Sequence, residues 1–94
     1  MTVGWNPEAV KDLQTIRDHY LQFNPETAEK VTRGIILATR RLKNFPASGR
    51  IVPEINDPLI REVIWSNWRI IYLLPTSNNE SLEVLNIIHT SRDF

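Results

Sequence analysis

The chain has 94 residues, and its 11 Lys and Arg balance 11 Asp and Glu, giving a formal net charge of zero at pH 7 and a pI near 6.7. That balance excludes a global electrostatic pull toward nucleic acid or an anionic membrane, and the length allows one domain, spanning 1–94, with one modest core. Cysteine is absent, which removes disulfides, thiolate chemistry and cysteine-ligated zinc; with no signal peptide or long apolar run, a cytoplasmic protein is expected.

Val3 and Trp5 make a short apolar edge strand that stops at Asn6-Pro7. Asn6 can accept from the first free N–H groups of a helix, Pro7 suits its first position and Glu8 favours its positive end. Val10, Leu13, Ile16 and Tyr20 then recur at three- and four-residue steps, with Lys11, Asp12, Gln14, Arg17 and Asp18 turned outward, which predicts a helix over 7–23. Asn24-Pro25-Glu26 repeats the start signal, so a second helix follows almost without a linker and packs antiparallel to the first. Its inner stripe is Ala28, Val31, Ile35, Ala38 and Leu42; Ile36 and Leu37 widen it, and Gly34 suggests a close helix crossing.

After the basic helix end Arg40-Arg41-Leu42-Lys43, residues 46–58 form the long connector, with three prolines and a glycine and a brief edge strand at Ile51-Val52. Three apolar, β-branched and aromatic runs follow at 59–65, 68–74 and 82–89, separated by a tight Ser66-Asn67 turn and a polar loop over 75–81. The expected fold is therefore α+β: an N-terminal two-helix hairpin packed on a twisted antiparallel β-sheet.

A two-residue loop at Ser66-Asn67 sets the first hairpin's register. Trp65 then faces Trp68, Arg61 faces Tyr72 within cation–π reach, and Glu62 lies diagonal to Arg69 on one face. Pairing Leu74 with Leu82 places Glu83, Leu85, Ile87 and His89 on the Arg69 face, an assignment that one bulge would reverse. Arg69 in a central strand fits two readings. One is an anion site with Arg92, with His89 exchanging a proton and Glu54 or Glu62 as carboxylate partner; the other is a partly buried Glu62–Arg69 ion pair. Arg40, Arg41 and Lys43 are phosphate contacts or an ordinary basic helix end, and Trp65 and Trp68 stack on a partner or cap the core. Two histidines without paired ligand spacing and the lack of a Gly-rich loop predict no metal and no nucleotide cofactor.

The order of strand, helical hairpin, Phe45-Pro46-x-x-Gly49-Arg50-x-Val52-Pro53-Glu54, Ile60-Arg61-Glu62-Val63, Asn67-Trp68-Arg69-Ile70-Ile71-Tyr72 and Ile88-His89-x-x-Arg92-Asp93-Phe94 resembles the RelE/ParE superfamily of toxins from bacterial type II toxin–antitoxin systems. The resemblance implies a small growth-inhibiting toxin neutralised by a cognate antitoxin whose C-terminal segment orders itself over the toxin. Ile36, Leu37 and Arg40 on the second helix and Trp65 and Trp68 at the hairpin are the expected partner contacts. RelE-like members cleave messenger RNA, usually on the ribosome, and ParE-like members poison DNA gyrase. On the RelE-like branch, Arg69 matches the strand arginine aimed at the scissile phosphate, and Glu54, His89 and Arg92 match acidic, acid/base or basic positions. The sequence departs from that branch in ending at Phe94 without a tyrosine or further basic residues, and in its neutral charge balance. A ParE-like gyrase poison is therefore expected, with a RelE-like endoribonuclease or a non-toxic antitoxin-binding corepressor as alternatives.

Overall fold

The computed structural model describes residues 1–92; the Asp93-Phe94 that closes the tail motif lies outside them. Strand β1 (Val3–Trp5) leads into helices α1 (Pro7–Leu21) and α2 (Pro25–Arg41), each opened as expected by an asparagine. The Asn6 side chain accepts from the Glu8 N–H at 2.7 Å, and Asn24 does the same for Glu26 at 2.9 Å. A single 3₁₀ turn (Pro46–Ser48) precedes β2 (Arg50–Ile51), and β3 (Ile60–Trp65), β4 (Trp68–Leu73) and β5 (Leu82–His89) follow.

The five strands form one sheet in the order β1-β5-β4-β3-β2. All neighbours are antiparallel except β1, which runs parallel to β5, so the sheet is mixed where an antiparallel one was expected. The connection between these two strands contains every other element, and the chain re-enters the sheet beside its own first strand. Helix α1 lies over β5 and α2 over β3 and β4. The core between them holds Ala9, Ile16, Ile35, Leu42, Ile70, Tyr72, Leu82, Val84 and Ile87. Ala9 replaces the expected Val10, which is exposed.

Gly34 has a different role from the expected helix crossing. The indole of Trp65 lies against it, and a Cβ at this position would overlap the ring. The glycine lets the end of β3 approach α2, a helix–sheet contact that leaves the helix pair out of the matter.

The β3–β4 register is as expected, with Trp65 opposite Trp68 and Arg61 opposite Tyr72. Ser66 opens the turn at φ 55°. The β4–β5 register follows expectation at Leu73↔Glu83 and Tyr72↔Val84, then slips by one, so that Ile71 faces Asn86 and Trp68 faces His89. Leu85 is the extra residue of a bulge. Without it Asn86 would stand opposite Ile70 beneath the helices; the bulge delivers Ile87 to the core there instead.

Candidate functional site

The face of the sheet away from the helices carries an ion network centred on Arg69. Opposite pairs place Arg69 with Ile64 and Ile88, and Glu62 with Ile71 and Arg50. Arg69 Nε donates to Glu62 Oε1 at 2.6 Å, and Nη1 and Nη2 donate to the two oxygens of Glu54 at 2.7 and 2.8 Å. Nη1 also donates to the Arg92 carbonyl at 2.8 Å. Four of the five guanidinium N–H groups are therefore taken. Arg50 Nε adds a bond to Glu62 Oε2 at 2.6 Å. The Glu62 side chain is fully buried and that of Arg69 is 6% exposed, whereas Glu54 keeps 24% of its side chain in solvent.

Bonds to Glu54 and then Glu62 hold the Arg69 guanidinium protonated far above its ordinary range, against the opposing effect of burial. A buried arginine with two carboxylates is an internally neutralised brace. It fastens the loop after β2, through Glu54, and the turn after β5, through the Arg92 carbonyl, to the middle of the sheet. That turn is pinned again by Thr90 N–H to Asn67 O at 2.9 Å and Arg92 N–H to His89 O at 3.0 Å.

Of the four residues expected at a catalytic centre, Arg69, Glu54 and Arg92 come together, the last through its backbone. His89 does not join them. The bulge at Leu85 turns it to the helix side beside Trp68, with ring centroids 5.2 Å apart and an interplanar angle of 87°. The expected sharing of one face by Arg69, Ile87 and His89 is thus corrected by a single inserted residue. Arg61 likewise faces Tyr72, but its guanidinium donates to the Pro58 and Gly49 carbonyls at 2.8 and 3.1 Å.

Of the expected partner contacts, Leu37 and Arg40 are exposed on α2, and Ile36, Trp65 and Trp68 are half-buried. A groove of about 370 Å³ runs along α2 between Glu26, Glu29, Lys30, Arg33, Gly34 and Leu37, with Trp65 beneath Gly34. A second cavity, about 460 Å³, lies across the Glu29–Arg33 ion pair and reaches Arg17 and Leu21.

Two side chains with defined tasks were missed by sequence reasoning. Asp12, assigned outward, accepts from the Ile87 N–H at 2.9 Å and from Asn86 Nδ2 at 3.3 Å where β5 runs past the end of β1. Its spacing from Ala9 and Ile16, three and four residues, already placed it on the inner side of α1. The Tyr72 hydroxyl donates to Pro46 O at 2.7 Å and accepts from Gly49 N–H at 3.0 Å, clamping the connector to the core. Burial raises this phenol above its ordinary pKa. Nothing local to Tyr72 signals that bond, because its partners lie more than twenty residues earlier.

Among the described residues no group of three or more His, Cys, Asp or Glu is arranged to hold a metal ion, and no helix is long and apolar enough to cross a membrane. Comparison with known proteins places this geometry in context. A family model described as the ParE toxin of the type II toxin–antitoxin system, parDE, matches residues 3–94. The fold is similar to a solved structure titled "Chromosomal ParDE TA system from P. aeruginosa", at a TM-score of 0.78 and 23% identity over 95% of each chain. No match is found among curated proteins.

Proposed function

The chain belongs to the ParE toxin family of type II toxin–antitoxin systems, and from that premise we propose that it arrests growth in the cytoplasm by trapping DNA gyrase on cleaved DNA, not by cutting RNA. It is the toxin of such a pair, and its partner is a cognate antitoxin. The observation that carries the choice of target is the enclosure of Arg69. An arginine that stabilises a phosphorane needs free N–H donors facing the substrate, and here Glu54, Glu62 and the Arg92 carbonyl occupy four of them. The separation of His89 from that cluster supports the same reading, since a general acid or base must come within hydrogen-bond reach of the reacting oxygen.

The antitoxin segment binds along α2 in this proposal. Leu37 and the half-buried Ile36 supply the apolar contact, and Lys30 beside the Glu29–Arg33 pair, with the exposed Arg40 further along α2, supplies the cationic contacts for an acidic amphipathic segment. Trp65 shapes this surface from beneath Gly34, as a half-buried support. Purified protein is tested in a gyrase supercoiling reaction, with total RNA as the parallel substrate. Accumulation of cleaved DNA with intact RNA is the expected result, and cleaved RNA with unaffected supercoiling at excess toxin would overturn the proposal.

A further inference from the structure

The strongest feature outside the Arg69 network is a cleft of about 440 Å³ between α1 and the C-terminal end of β5. One wall is a polar row on α1, Asp12, Thr15 and His19, recurring at three- and four-residue steps so that all three share a helix face. The other wall is Trp68, His89 and Arg92. Both histidines of the chain line this one cleft.

The two walls differ in chemistry. Asp12 commits Oδ2 to the Ile87 and Asn86 donors, and its Oδ1 has no hydrogen bond among the described residues, which leaves a carboxylate oxygen to accept from a ligand N–H. On the other side His89 Nδ1 accepts the Ser91 N–H at 3.1 Å and lies 2.8 Å from Ser91 Oγ, so the neutral ring carries its proton on Nε2 and donates from there. The Arg92 guanidinium is exposed and forms no ion pair among the described residues. Trp68 and His89, packed edge to face, add aromatic surface.

We propose that this cleft binds a nucleoside monophosphate, its phosphate against Arg92 and His89, its base against the Trp68 and His89 rings, and its exocyclic amine toward Asp12. A carboxylate on one wall and the Arg92 cation with the His89 N–H on the other select a ligand with a donor at one end and an anion at the other, which free phosphate and an uncharged nucleoside each fail to satisfy. The volume falls in the range of cavities that enclose ligands of this size, about 300–1,000 Å³. The charged and titratable groups lining the cleft are Asp12 and His19 from α1, and His89 and Arg92 from β5 and the turn after it.

The test is an NMR titration of the full chain with adenosine 5′-monophosphate, adenosine and inorganic phosphate in parallel, following the Trp68 indole N–H and the His89 ring. The monophosphate should saturate the shifts and bind at least ~10-fold more tightly than either fragment. Arg92→Ala, at an exposed position, should fold normally, with binding ~10-fold weaker. Absence of saturable shifts, equal binding of adenosine or free phosphate, or unchanged binding in Arg92→Ala would each overturn the proposal. Gyrase takes no part in the measurement, so its outcome and that of the supercoiling test are separate.

Discussion

Replacing Gly34 by alanine reverses the usual sign of a helix substitution in this protein. In the interior of an exposed helix, glycine to alanine stabilises by about 1 kcal/mol. Here the added methyl group falls inside the Trp65 indole, overlapping three of its ring atoms. Trp65 ends β3 opposite Trp68 in a two-residue hairpin, so its ring cannot swing aside without leaving the core edge it packs on. Overpacking of that kind costs ~1–3 kcal/mol. With the ~1 kcal/mol helix preference subtracted and the loss of part of the indole's burial added, the net effect is a destabilisation of ~1–2 kcal/mol, which lowers the melting temperature by ~4–8 °C per kcal/mol in a chain of this size. Thermal melts followed by circular dichroism measure it. The same change in a Trp65→Leu background should become stabilising by up to ~1 kcal/mol, because the clash is gone and only the helix preference remains. A higher melting temperature for Gly34→Ala alone, or equal effects in both backgrounds, would refute the role assigned to the glycine.

Three further perturbations follow from the buried polar groups. Arg69→Ala leaves the buried Glu62 and the neighbouring Glu54 without their shared cation and should cost ~3–5 kcal/mol in urea unfolding. Tyr72→Phe orphans the Gly49 N–H and should cost ~1–3 kcal/mol. Because burial raises the phenol above 10.0, the unfolded chain ionises first, so wild-type stability falls as pH rises past about 10. Tyr72→Phe removes that fall, which denaturant midpoints on either side of the transition will show. Asp12→Ala deprives the Ile87 N–H of its acceptor and should lower stability by ~1–3 kcal/mol, with faster amide exchange confined to the end of β5.

How much of this was readable in advance depended on the range of the interaction. Both helix starts were legible because an asparagine, a proline and a glutamate act within one turn of each other. The β3–β4 pairing was legible because a two-residue loop leaves only one close register, which puts Trp65 against Trp68. The β4–β5 register was not, since the bulge at Leu85 answers a requirement of the assembled core: an apolar residue is needed opposite Ile70 under the helices, and Asn86 would have stood there. The face of His89 depended on that one residue. Arg69 was visible as a cation in an apolar strand, and Glu62 as its neighbour, but the reach of Glu54 from the connector and of the Arg92 carbonyl from the turn after β5 depends on loop paths that no periodicity encodes. Trp65 hid in the same way, because its partner Gly34 looks like a helix crossing until the sheet is laid beneath α2.

Arg69 acts as a brace in this reading and has no part in the chemistry of toxicity. The direct test replaces the whole network, Glu54→Leu, Glu62→Leu and Arg69→Met together, because apolar side chains of similar volume can take over a buried ion cluster with little change in stability. The triple variant, induced without antitoxin, should remain folded and arrest growth at the wild-type rate; a folded triple variant that leaves growth unaffected would contradict the account.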